Sequence, residues 1–176
     1  MIPASFCLVG IFFSCANDLE KVKRVTHNPD GPEETSEDFH IVFTDSGLAK
    51  IEIFAGITET FANPTRVTKF RNGLRVHFFD GNGEIASVLT SKYGEIEDDS
   101  GDIVVRDSVE LFNVEKEKIL QTEVLYWNKK SDSIYTDKDV RIISPDMILD
   151  GVGAWTTPLF DTAHFYKPKA EVYLKE

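Results

Sequence analysis

"ILQTEVLYWNKKSDSIYTDKDV", Ile119 to Val140, decides the fold class. Leu120, Thr122, Val124 and Tyr126 fall on one side of an extended chain, and Glu123, Leu125 and Trp127 fall on the other. A period of two belongs to a strand, because successive side chains of a strand point to opposite faces. Lys129-Lys130-Ser131 makes a polar turn, and a second β-type run follows through Ile134 to Val140. The stretch holds no grouping of nucleophile, base or metal ligands. Its information lies in its pattern.

The same pattern extends in both directions. Upstream, Phe39 to Phe43 precedes an Asp45-Ser46-Gly47 turn, and Ile51 and Ile53 alternate with Lys50 and Glu52. Arg66 to Phe70 and Leu74 to Phe79 read as two runs separated at Gly73. "DGNG", Asp80 to Gly83, is a hairpin signal, and Glu84 to Thr90 is the return strand. Further runs are read at Tyr93 to Glu97, Ile103 to Val105, Ser108 to Asn113, Ser133 to Thr136 and Asp139 to Ile143. Ile148 to Trp155, Phe160 to Tyr166 and Glu171 to Leu174 close the series. Turn signals recur roughly every 8 to 12 residues, as in all-β sandwiches and barrels. Gly151 and Gly153 within a strand mark a bulge or a close backbone approach.

Composition narrows the function. The 176 residues suit one domain, and 13 of them are Phe, a residue that favours strands. The net charge of -11, from 30 acidic and 19 basic residues, argues against a nucleic-acid partner, which needs a basic footprint. Both cysteines, Cys7 and Cys15, precede Ala16. The body therefore has no disulfide, no thiolate zinc site and no thiol nucleophile. His27, His40, His77 and His164 are scattered without metal-ligand spacing, and there is no G-x-S-x-G string. No metal, no cofactor and no enzymatic activity are expected.

The N-terminus reads as a targeting segment. Met1 to Phe13 is apolar or small throughout, and too short to span a bilayer. It suits residues 1–14 as a signal peptide or short membrane anchor. Ser14-Cys15 resembles the lipobox of bacterial lipoproteins, with Phe12 where that motif usually has Leu or Val. Acylation of Cys15 is the expectation; a truncated anchor with Cys15 incidental is the alternative. Residues 15–38, with two prolines and seven acids between Asp18 and Asp38, read as a flexible acidic tether. The β domain is expected over residues 39–176.

The order of the runs resembles the LptC family, the periplasmic bridge component of the lipopolysaccharide export system, in its Bacteroidetes-type form. The residues that carry the resemblance are "FTDSGLAKIEIFA" (Phe43 to Ala55), "FRNGLRVHFFDGNGEIASVLTSKYGEIEDDSG" (Phe70 to Gly101) and, most densely, Asp107 to Ile142. Val109 and Leu111, then Leu120, Thr122, Leu125 and Trp127, then Thr136, Asp137 and Val140 fit the family pattern, as do Gly151 and Gly153. The resemblance implies an open β-jellyroll of stacked short antiparallel strands with an apolar groove. It implies lipopolysaccharide, through its lipid A acyl chains, as the ligand. The implied partners are the inner-membrane ABC transporter subunits and a periplasmic jellyroll joined by edge-strand addition. It places the protein in the periplasm, tethered to the inner membrane.

Val109, Leu111, Leu120, Thr122, Val124, Ile134, Val140 and Ile142 are the expected groove lining if their strands stack in register. The competing reading is a surface or outer-membrane β-sandwich lipoprotein that binds carbohydrate or protein. The interior separates the two. A seam open along an apolar groove favours the bridge, and a closed sandwich with short edges favours the alternative.

Overall fold

The computed structural model describes residues 31–62, 64–160 and 162–174, with side chains up to residue 169. All regular structure among the described residues is β. The strands are β1 (Glu34–Asp45), β2 (Leu48–Phe61), β3 (Val67–Phe79), β4 (Ile85–Ser91), β5 (Tyr93–Glu97), β6 (Ile103–Asn113), β7 (Lys118–Asn128), β8 (Ser133–Ile143), β9 (Met147–Thr156) and β10 (Ala163–Leu174). They form one ten-stranded sheet in the order β1-β2-β3-β4-β6-β7-β8-β9-β10, with β5 pairing β3 and β6. Every pairing is antiparallel between neighbours in sequence or nearly so, as short hairpin turns dictate.

The strands are longer than their sequence runs, because several apparent turns are bulges. Asn72-Gly73 lies inside β3, Asp107-Ser108 inside β6 and Asp137-Lys138 inside β8, each at a shift of register. Asn72, Asp107 and Ser108 take φ of 61°, 66° and 57°, the left-handed values that short polar side chains tolerate best. A bulge inserts a residue and bends its strand, but the ladder resumes beyond it.

These bulges share one level. Ala55 pairs Leu74, and Leu74 pairs Ser91 just before the break at Lys92 that separates β4 from β5. On the far side Val109, Thr122, Val140 and Gly151 pair in sequence across four strands, directly beside the bulges of β6 and β8. Gly153 supplies the bend of β9 with φ of 71°, a conformation that costs a side-chain-bearing residue. Bending every strand at one level folds the sheet onto itself. This is the β-jellyroll, with two arms whose inner faces meet.

The core lies between the arms. Leu111, Leu120 and Ile134 are at most 1 % exposed, and Phe70, Val76, Phe78, Leu89, Val105 and Leu125 are buried beside them. Burial of each such side chain contributes roughly 1.5–3 kcal/mol. No buried side-chain nitrogen or oxygen among the described residues lacks a hydrogen-bond partner.

Two boundaries differ from expectation. β1 starts at Glu34, so Glu34 to Glu37, expected in the tether, pair instead with Ile57 to Thr60 of β2. This edge segment is exposed except at Ser36, so its backbone pairs while its side chains need not be apolar. Phe160, expected to open the last strand, lies in the turn before β10 with φ of 56° and is 1 % exposed. Its ring fills the interior instead of joining the ladder.

Candidate functional site

The buried residues of the two arms form one hydrophobic cluster, and the arms part at the β1 end. There they leave an apolar groove of about 640 Å³. Phe39, Ile41 and Phe43 of β1, with Ile51 and Ile53 of β2, make one wall. Phe70 of β3, Ile96 of β5, Ile103 of β6 and Trp127 of β7 make the other. Along β1 and β2 the wall residues are two apart because only one face of each strand looks inward. Phe39 and Phe70 meet at the groove floor, ring centroids 5.9 Å apart. Phe43 at the mouth is 46 % exposed. Thr44, Asp45, Lys50, Thr68, Asp98, Gly101 and Lys129 complete the rim.

The walls continue inward as rows of paired side chains. Ile41, Ile53, Val76, Leu89, Leu111, Leu120, Ile142 and Leu149 are successive cross-strand partners from β1 to β9. Opposite them Ile96, Ile103, Trp127 and Ile134 form a second row from β5 to β8, ending at Thr156 of β9. The groove is the open end of the seam between these rows. At the other end, Asn113 of β6 donates to the carbonyl of Leu159 at 2.9 Å and to Ser87 Oγ at 3.2 Å. Lys116 Nζ donates to the Phe160 carbonyl at 3.1 Å, and the buried Phe160 ring stops that end.

A second depression, of about 900 Å³, is lined by Gln121, Thr122, Asp139, Val140, Arg141, Asp150, Gly151 and Lys169. It is larger, but its charges answer one another. Arg141 donates to both oxygens of Asp150 at 2.8 and 3.1 Å, and Lys169 to Asp139 at 2.6 Å. The Asp150 carboxyl is held below its usual range by the Arg141 hydrogen bonds. The groove, which has apolar walls and a half-open mouth, is the stronger candidate for a ligand with chains.

The residues expected to line a groove fall in three places. Leu111, Leu120, Ile134 and Ile142 lie on the two rows but deep within the seam, at most 6 % exposed. Val109 and Val140 are buried at the bend, and Thr122 pairs both of them across β6, β7 and β8. Val124 is off the inner face: it pairs the exposed Arg106, and Leu125 takes the buried position. Gly151 lies beneath the Phe165 ring, which a Cβ would strike. Cys15 and the segment 1–14 lie outside the described residues. The groove residues that were missed are Phe39, Ile41, Phe43, Ile51, Ile53, Phe70, Ile96 and Ile103. The alternation of those on β1 and β2 is legible, but nothing in it tells an open wall from a packed one.

A family model described as Lipopolysaccharide-assembly, LptC-related matches residues 2–157. No curated protein matches the chain. The chain belongs to the LptC family, a component of the lipopolysaccharide-transport bridge. That assignment favours the bridge over a surface β-sandwich that binds carbohydrate or protein.

Proposed function

We propose that this LptC-family chain receives lipopolysaccharide from the inner-membrane ABC transporter complex and passes it, acyl chains between the arms, to the next jellyroll of the periplasmic bridge. The observation that carries the reading is the unbroken aliphatic row from Ile41 to Leu149, whose first members line an open groove. Acyl chains need walls without hydrogen-bonding groups, and a groove of this size suits an amphiphile's chains. Leu111, Leu120 and Ile142 then become lipid contacts when the arms part, and they pack together when the seam is empty. The domain performs no catalysis in this scheme.

The two sheet ends support the edge-strand part of the proposal. Among the described residues β1 pairs only β2 and β10 pairs only β9, so each leaves one row of backbone donors and acceptors available to a further strand. The tether and an acylated Cys15 would hold the domain at the inner membrane. Cys15→Ala then releases the protein from the membrane fraction, and unchanged attachment rules out the acyl anchor.

The test of the groove is photo-crosslinking in cells. A benzophenone side chain at Phe43 replaces one aromatic group by another at the mouth. It captures lipopolysaccharide when the transporter hydrolyses ATP, whereas the same group at exposed Lys130 does not. Equal capture at both positions, or capture at Phe43 that is indifferent to ATP, sinks the proposal.

A further inference from the structure

We infer that Lys50 and Lys129 form a phosphate-recognition site at the groove mouth, which seats the anionic headgroup of the lipid whose chains lie between the arms. The inference rests on the groove assignment above. It adds to that assignment a charge requirement that apolar walls do not impose.

Each lysine is set in place by a specific departure from regular structure. In the β1–β2 ladder Phe43 pairs Ile51, but the next residue, Thr44, pairs Ala49. Lys50 is therefore the extra residue of a bulge. Regular alternation would put it on the face opposite its groove-lining neighbour Ile51, yet Lys50 also lines the mouth. Re-aiming a side chain is what a bulge beside a site does. Lys129 comes from the other arm, just after β7, and its stem lies over Gly101. A Cβ on Gly101 would sit 2.7 Å from Lys129 Cδ and 3.3 Å from Nζ, so any larger residue would dislodge the ammonium group. The turn that carries Gly101 is pinned to the same chain segment. Asp102 accepts from the Lys129 backbone N–H and from Asn128 Nδ2, each at 3.1 Å.

Lys50 and Lys129 are the lysines of the groove lining. The chain has a net charge of -11, and several cations elsewhere are held by carboxylates. Arg66 pairs Asp98, Arg71 pairs Glu59, Arg141 pairs Asp150 and Lys169 pairs Asp139. Neither Lys50 nor Lys129 makes an ion pair among the described residues. Of the two carboxylates on the same rim, Asp98 is already engaged by Arg66 at 3.0 Å and by the Thr68 hydroxyl at 3.2 Å. Asp45 accepts from Ser46 at the hairpin tip. Two lysines lining one apolar mouth from opposite arms fit a phosphorylated headgroup, since lysine binds phosphate as a point charge that needs no fixed angle.

The experiment uses the purified full chain with Trp155→Phe, so that Trp127 in the groove wall reports occupancy by fluorescence. Phosphorylated lipid A and its phosphate-free counterpart are titrated in the same detergent. The phosphorylated form binds roughly threefold to tenfold tighter, the range expected for two solvent-accessible charge contacts. Lys50→Ala with Lys129→Ala reduces that affinity to the phosphate-free value and leaves phosphate-free binding unchanged. Denaturant unfolding verifies that the double variant is folded. Two results overturn the phosphate site and leave the groove standing: equal binding of both lipids by the unsubstituted lysines, or full affinity in a folded double variant. A Trp127 signal that responds to neither lipid overturns the groove assignment itself.

Discussion

The ring of Phe78 meets that of Trp127 edge-on, with centroids 5.9 Å apart and planes at 85°, although the two residues sit on opposite arms of the folded sheet. Phe78 is 4 % exposed, and Trp127 lines the groove. Edge-to-face pairs of this kind add to the burial of both rings. Phe78→Ala removes a buried aromatic side chain and leaves a cavity between the arms. It lowers unfolding free energy by about 3–5 kcal/mol. A urea titration measures this, and a loss under about 1 kcal/mol would mean that the arms are not held together there.

Asn113 has a comparable role at the closed end of the seam. Its side chain is 3 % exposed, donates to Leu159 and Ser87, and accepts from the Lys116 backbone N–H at 2.7 Å. Asn113→Ala strands these partners and costs about 1–3 kcal/mol. Hydrogen exchange then rises at Phe160, whose N–H is bonded only locally to the Thr157 carbonyl. Unchanged exchange at Phe160 alongside a measurable stability loss would show that this turn is held by the Phe160 ring and not by Asn113.

The strands themselves were legible, because period-two runs and turn dipeptides are local signals. Which face of a strand looks inward was legible only up to the nearest bulge. In β7 the alternation of Leu120 and Thr122 is right, but the parity changes before Leu125, so Val124 and Tyr126 fall on the other side. Tyr126 accordingly stacks with Tyr135, centroids 5.1 Å apart, and not with the core. The cause is a register shift between neighbouring strands, and Asp107-Ser108 reads in sequence as an ordinary turn. The groove was illegible for a related reason. Ile53 and Leu111 lie on one row, have the same local pattern and are both buried; only Ile53 borders the groove, and where the groove opens depends on all the bulges together.

Gly94 tests the bend from the second arm. It pairs Phe70 and Val105 in the ladder, and a Cβ there would strike the Leu74 side chain, with Phe70 Cδ2 at 3.4 Å and Val105 Cγ1 at 3.6 Å. Gly94→Val overfills the space where the arms touch and destabilises by about 1–3 kcal/mol. Adding Leu74→Ala makes room, so the double variant is less damaged than the sum of the two singles. Additive losses in thermal or urea unfolding would mean that Leu74 and Gly94 do not share that space.

Glu52 links the edge strand to the body of the sheet through charge. It lies on β2, His40 on β1 and His77 on β3, and each imidazole hydrogen-bonds one carboxylate oxygen, at 2.8 Å and 2.9 Å. An ionised carboxylate only accepts, so both rings donate. The His40 bond, then the His77 bond, holds the Glu52 carboxyl below its ordinary value of 4.5, against a weaker opposing effect of burial. A folded-state value below the unfolded one contributes stability that is fully present above pH 4.5 and is lost as pH falls through the folded value. Glu52→Gln is therefore less stable than the unsubstituted protein at about pH 5, and the gap narrows steadily toward about pH 3 as the carboxylate takes up its proton. Urea midpoints across that range measure it. A gap that stays constant over the same interval would assign the effect to shape and hydrogen bonding, with no part for the carboxylate charge.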